Sequence, residues 1–277
     1  MSTNDETIKR LCAEDIKKKS RETFKMRMIS VVSIIAFFAI WQLIVQFELV
    51  NPRVLPSPIK LFGTFIDKFS AKAPDGNTLP QNIFASLQVS LAGFFAAILL
   101  GIPLGLVMGW YKVADRFFTP IFELVRPIPP IAWIPIVVMW MGIGLEAKAL
   151  IIFFSAFVPC VINAYTGIKL TSPVLINVSK TFGASNFEIF YKIGIPSSLP
   201  MVMAGVKLAL GNSWSTLVAA EMLAASAGLG FMIQMGRQLA RADIVVLGML
   251  VIGILGAIMS TLLTMLENRL LRWKIKK

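Results

Sequence analysis

Six long apolar stretches constrain this chain more than any other feature: residues 28–47, 84–110, 119–144, 149–168, 201–220 and 244–266. Met28 to Phe47 alone is twenty residues without a charge. At about 1.5 Å per helical residue, each stretch is long enough to cross a hydrocarbon core of roughly 30 Å. Lipid offers the backbone no hydrogen-bond partner, so each crossing must satisfy its own peptide groups as a helix. The expected fold is therefore an all-α membrane protein with about six transmembrane helices. A composition of 56% hydrophobic and 15% charged residues, with mean hydropathy +0.75, excludes an ordinary soluble domain.

The polar remainder sorts into a basic tail over 1–27, a membrane domain over 28–266 and a second basic tail over 267–277. The first 27 residues are polar and basic, and the apolar run after them is long enough to span, which predicts no cleavable signal peptide. A net charge of +12 could suggest nucleic acid, but Lys and Arg sit in tails and loops, where anionic lipid explains them. With both termini in the cytoplasm, the inner segments hold 18 basic residues against 7 outside, while Arg126 and Lys207 lie within spans. The reversed topology inverts that ratio.

The moderately polar stretch Ser172–Pro200 lies on the inner side of this topology. Ser172 and Pro173 read as an N-cap and first helical residue, so a helix runs to about Phe182, where Gly183 breaks it. Ser185 and Glu188 have capping-box spacing, predicting a second short helix that Pro196 closes. On it Phe187, Phe190 and Tyr191 fall at i, i+3 and i+4, an aromatic stripe with no evident cover. Two readings stand: a docking hairpin, or an interfacial hairpin resting on its own bundle or on lipid.

Elsewhere, Ser57 and Pro58 start an interfacial helix with Ile59, Phe62, Ile66 and Phe69 on one side, and 73–80 reads as loop. Ala97, Gly101, Gly105 and Gly109 form a small-residue ridge for close helix approach. Pro103 is expected to kink that span, and Lys112, Asp115 and Arg116 mark an inner loop. Prolines 120, 127, 129, 130 and 135 predict a broken span over 119–144. Arg126 within it either snorkels beside Glu123 or faces a translocation path and attracts an anion. Asn163 lies in the fourth span. The polar patch Asn212, Ser213, Trp214, Ser215 and Thr216 in the fifth is either interhelical glue or cavity lining. Glu221 to Asp243 reads as the outer connection, with re-entrance over 222–235 left open.

Chemistry is sparse. There is no His, and the cysteines, Cys12 and Cys160, support neither a disulfide framework nor a zinc site. No Walker A loop occurs, so an engine, if there is one, belongs to another chain. A polytopic enzyme acting on lipid is the alternative, but its carboxylates, Glu123, Glu146, Glu188, Glu221 and Asp243, are scattered on both sides.

Gly183 followed by Ile193, Ile195 and Pro196 resembles the cytoplasmic loop of the permease subunits of binding-protein-dependent ABC importers, although Asn177, Val178 and Ser179 replace the Glu-Ala-Ala usual before the glycine. LPSP at Leu55–Pro58, RPIPPIAWIPIVVMWMGIG at Arg126–Gly144, and WSTLVAAEM with GLGFMIQ between Trp214 and Gln234 are similar to the nitrate, sulfonate, taurine and bicarbonate branch, most of all to taurine-type permeases. The resemblance implies a type I importer bundle and a coupling helix docking through Gly183, Ala184, Phe187, Phe190, Tyr191, Ile193 and Pro196. It further implies a homodimer in the bacterial inner membrane over two ATPase subunits, which bind the ATP and Mg²⁺, and a binding protein outside. This chain would carry no cofactor and no catalytic residue. Its solute would be taurine or another alkanesulfonate, with nitrate, bicarbonate or a vitamin precursor fitting the same scaffold.

Overall fold

The computed structural model describes residues 22, 25, 26, 28, 29, 31–51, 54–223 and 225–271. Cys12, most of the N-terminal basic residues (Lys9, Arg10, Lys17, Lys18, Lys19, Arg21 and Arg27), part of the turn over 51–58, and Arg272, Lys274, Lys276 and Lys277 lie outside them. Every regular element among the described residues is helical.

The chain divides into two compact units, Met1–Gly63 and Thr64–Lys277. The first contains the apolar helix α1 (Val31–Gln46) and the start of α2 (Pro58–Ser70). The Lys60 amide lies 3.3 Å from Ser57 Oγ, so Ser57 caps α2 as its sequence position requires. The expected stripe of Ile59, Phe62, Ile66 and Phe69 is exposed along α2.

In the second unit, α3 (Leu79–Trp110), α6 (Leu145–Lys169), the run Asn186–Leu223 and α11 (Ala242–Leu270) are each long and apolar enough to cross a membrane. The small-residue ridge of α3 lies along α6. Ala97 is fully buried, and a Cβ at Gly93 would meet Ala149 and Ile152, one at Gly101 Cys160, one at Gly105 Ala164 and one at Gly109 Ile168. Numbers rise together on both helices, so α3 and α6 run parallel for 16 residues of α3, about 24 Å. A connection between parallel neighbours must travel back the full length of the pair. The broken segment α4 (Lys112–Val125), a 3₁₀ turn at Pro130–Trp133 and α5 (Ile134–Met141), bent by 82°, makes that return.

The expected inner loop at Lys112–Arg116 is absent; Tyr111 alone separates α3 from α4. Asp115 stays helical because it accepts hydrogen bonds from Thr119 Oγ1 at 2.7 Å and Lys169 Nζ at 3.1 Å, tying α4 to the end of α6.

After α6 come α7 (Pro173–Thr181), α8 (Asn186–Ile189), a π turn over Phe190–Gly194 and α9 (Ile195–Leu223). α9 runs antiparallel to α6, with Gly167 against Ser198 and Met201 and Gly205 against Asn163. Phe94, Ala97, Leu106, Ala156, Cys160, Ala164, Val206 and Ala209 fill the space among α3, α6 and α9. Helices α3, α6, α9 and α11 extend a few residues beyond the expected apolar stretches at most ends. The expected connection over 221–243 is mostly helical: Glu221 belongs to α9, α10 (Leu229–Gln238) packs on α11 through Met232, Ile244 and Leu247, and Asp243 lies in α11.

Candidate functional site

Two regions gather the residues with functional character: the hairpin over 173–194 and a cavity beside the α4–α5 break.

α7 ends in a Schellman motif. The Gly183 amide donates to Lys180 O and the Ala184 amide to Ser179 O, both at 3.0 Å, and Gly183 has φ +77°, a conformation an L side chain rarely adopts. α8 then opens with the expected capping box: Glu188 N to Ser185 Oγ at 3.2 Å and Ser185 N to Glu188 Oε2 at 3.1 Å. Two short helices are thus locked at a bend by backbone chemistry rather than by burial.

The rings on this hairpin do not behave as one stripe. Phe187 and Tyr191 are 67% and 64% exposed, whereas Phe190 is buried against Trp110 and Tyr111, with centroids 5.6 and 5.7 Å away. Phe190 therefore anchors the hairpin to α3 and is unavailable to a partner. Ala184 and Ile193 are half-buried, Gly183 and Pro196 exposed. Pro196 does not close the helix either. The π turn immediately before it widens the helix at the Lys192 carbonyl, which the proline ring would otherwise strike, and the helix continues to Leu223. Sequence reasoning missed Phe182, 85% exposed, and Val174 and Val178, also exposed. A large apolar residue directly before a helix-ending glycine was the available signal.

At the break, the segment containing Arg126 turns away from α4, and its guanidinium pairs with Glu123 Oε1 at 3.2 Å, both side chains half-exposed. Such an exposed pair contributes at most about 1 kcal/mol, leaving the guanidinium free to exchange partners. Arg126 lines a cavity of about 350 Å³ with Asn212 of α9 and Ser155 of α6 as its other polar groups. Its walls include Phe118, Phe122, Trp133, Phe154 and Phe157, with Trp133 stacked on Phe154 at 5.0 Å. One cation and one carboxamide on an apolar wall suit transient attraction of a small anion.

The other polar residues expected on the path lie apart from this cavity, in contacts between helices or beside a second cavity. Asn163 donates to Pro159 O at 2.9 Å and faces Gly205. Trp214 Nε1 donates to Ile252 O at 3.0 Å, joining α9 to α11, and Thr216 shares a 2.7 Å hydrogen bond with Ser155. Ser213 is fully buried and its hydroxyl has no hydrogen-bond partner among the described residues. Ser215 is exposed and borders a separate cavity with Lys207, which pairs with Glu267. Of the patch read as interhelical glue or cavity lining, Asn212 lines the cavity that Arg126 borders, while Trp214 and Ser215 line the one beside Lys207. Among the described residues no three His, Cys, Asp or Glu side chains are placed to hold a metal ion.

Residues 97–272 match the family described as binding-protein-dependent transport system inner membrane component. The chain is 34% identical over 245 residues to the taurine transport system permease protein TauC of Escherichia coli, covering 88% of this chain and 89% of that one. It is 29% identical to the putative aliphatic sulfonates transport permease protein SsuC of Bacillus subtilis, over 95% and 93% of the two chains, and 30% identical to the nitrate import permease protein NrtB of Synechocystis sp., over 86% of each. In fold it is similar to a chain of the inward-facing MetNI methionine ABC transporter, with TM-score 0.58 and 20% identity over 72% of this chain and 96% of that one.

Proposed function

The chain belongs to the family of inner membrane components of binding-protein-dependent transport systems, and from that premise we propose that it forms the translocation path of an importer for a small organic sulfonate, taurine or another alkanesulfonate. It is a transport permease subunit of an ABC importer, not an enzyme. Binding-protein dependence implies an ATPase and a substrate-binding protein as partners. On this reading, two copies of the chain lie over two ATPase subunits, both termini and the hairpin face the cytoplasm, and the binding protein delivers solute from outside. The surplus of basic residues in the expected inner segments supports that orientation.

The observation that carries the proposal is the hairpin's exposed apolar edge, Phe182, Phe187 and Tyr191, held at a fixed bend with its root fastened to α3 through Phe190. A rigid protrusion with unburied rings fits a groove in a partner and transmits displacement to α9, with which it is continuous. The solute class is supported by the relatives' printed substrates and by the aromatic wall beside Arg126, which favours an organic anion over nitrate.

Co-expression with the candidate ATPase and affinity purification test the assembly. Phe187→Ala and Gly183→Asp should leave the chain in the membrane while abolishing uptake. Normal uptake in both would remove the hairpin from the coupling role.

A further inference from the structure

α10 begins without a capping side chain of its own, since Gly228 is its N-cap. Its first amides are met instead by side chains from two other helices. Gly228 N donates to Asn82 Oδ1 at 3.0 Å, Leu229 N to Ser86 Oγ at 2.8 Å, and Gly230 N to Glu221 Oε2 at 2.9 Å. Asn82 and Ser86 belong to α3 and Glu221 to α9, and all three are 0% exposed. Ser86 Oγ also lies 2.8 Å from both carboxylate oxygens of Glu221, so its proton closes the ring between the two helices. The cluster explains both glycines of the turn: a Cβ at Gly228 would overlap the Glu221 carboxylate, and one at Gly230 would come within 2.8 Å of Glu221 Cβ. A buried carboxylate is tolerated only when satisfied in this way.

The position of this clasp gives it a role beyond capping. Ser86 stands near the start of α3, roughly 36 Å along the helix from Trp110 at about 1.5 Å per residue. There, at the other end, Phe190 of the hairpin is fastened. The hairpin is continuous with α9, whose far end carries Glu221. α3 and α9 are therefore joined at both ends, by Phe190 on Trp110 and by Ser86 on Glu221, into a closed frame with the α10 turn attached at the end away from the hairpin.

We propose that Glu221 is a positioning residue for transport: with Ser86 it clasps α9 to α3 and to the α10 turn, so that docking of the loaded binding protein at that end reaches the hairpin as one movement. The proposal rests on the importer reading above. Without the clasp, α3 and α9 can shift independently at the far end, and the docking signal dissipates before it reaches Trp110 and Phe190.

The test measures ATP hydrolysis by the complete complex in nanodiscs, with and without the binding protein saturated with taurine. Glu221→Gln keeps the side chain's size and Ser86→Ala removes a single hydroxyl. Each should leave basal hydrolysis unchanged and reduce the stimulation factor at least about fivefold. The double variant should do no further damage, because both substitutions open the same link. Retained stimulation in Ser86→Ala, additive losses, or a parallel fall in basal and stimulated rates would overturn the clasp. If Glu221→Gln fails to assemble, Ser86→Ala alone decides. A wild-type complex that hydrolyses ATP but ignores the binding protein with taurine and butanesulfonate alike overturns the solute class proposed above and this inference with it. Stimulation in the wild type retained by the variants overturns the inference alone.

Discussion

Phe190 seats its ring on Trp110, centroids 5.6 Å apart and planes inclined at 48°, so the hairpin is fastened to the end of α3 by a buried aromatic contact while Phe187, three residues earlier, is exposed. The two rings should respond oppositely to truncation. Phe190→Ala leaves a cavity and should lower unfolding free energy by about 3 kcal/mol. Phe187→Ala should change it by less than about 0.5 kcal/mol yet abolish uptake. Chemical denaturation in detergent micelles, run beside an uptake assay, separates the two; equal stability losses would place both rings in one environment.

This contact marks where the sequence stops being readable. Gly183 and the Ser185–Glu188 pair were legible because each acts on backbone within three residues of itself. The ridge from Ala97 to Gly109 was legible because spacing by four on a helix defines a face. Phe190 was not, since its cover, Trp110, arrives from the end of α3, and i, i+3, i+4 spacing does not say how deep a face lies. Pro196 misled for a related reason: the π turn that accommodates it is invisible to a rule that treats every internal proline as a stop. Glu221 looked like one of several scattered acids because Ser86 and the α10 amides meet it only after folding.

The close approach of α3 and α6 makes a second prediction. A Cβ at Gly105 would lie 2.8 Å from Ala164 Cβ and 3.1 Å from Tyr165 N, whereas one at Gly253 meets nothing within 4 Å. Gly105→Ala should therefore cost about 1–3 kcal/mol through forced separation of the helices. Gly253→Ala should be neutral or slightly stabilising by helix propensity. Thermal unfolding of the purified variants gives the comparison, and a neutral Gly105→Ala would contradict the parallel packing.

Arg126 and Lys207 are the two cations within the expected spans, but their surroundings differ. Arg126 holds only a half-exposed pair with Glu123 and borders the aromatic cavity, while Lys207 of α9 pairs with Glu267 of α11. Arg126→Gln should reduce substrate-dependent ATPase stimulation about tenfold with little loss of stability, on the scale of one charge-assisted contact. Lys207→Gln should weaken the α9–α11 contact and leave the stimulation factor near that of wild type. Equal effects on stimulation would remove Arg126 from the path.

Lys68 supplies the sharpest stability test. Its ammonium is 1% exposed, pairs with Asp75 Oδ1 at 2.5 Å, and donates to the carbonyls of Ala73 at 2.9 Å and Asn77 at 2.6 Å. The loop over 71–78 thus closes around one cation, and Asp75 passes the arrangement on by accepting from Asn82 Nδ2 at 2.7 Å. Lys68→Met strands a buried carboxylate and should cost about 3–5 kcal/mol, while Lys72→Met, at an exposed position in the same loop, should stay within about 0.5 kcal/mol. Removing both charges with Lys68→Met and Asp75→Leu should cost less than the sum of the two single changes, because the orphaned charge is gone. Denaturant unfolding of the four variants measures this, and a double variant as damaging as the sum would show that Lys68 acts through the carbonyls of the loop and not through Asp75.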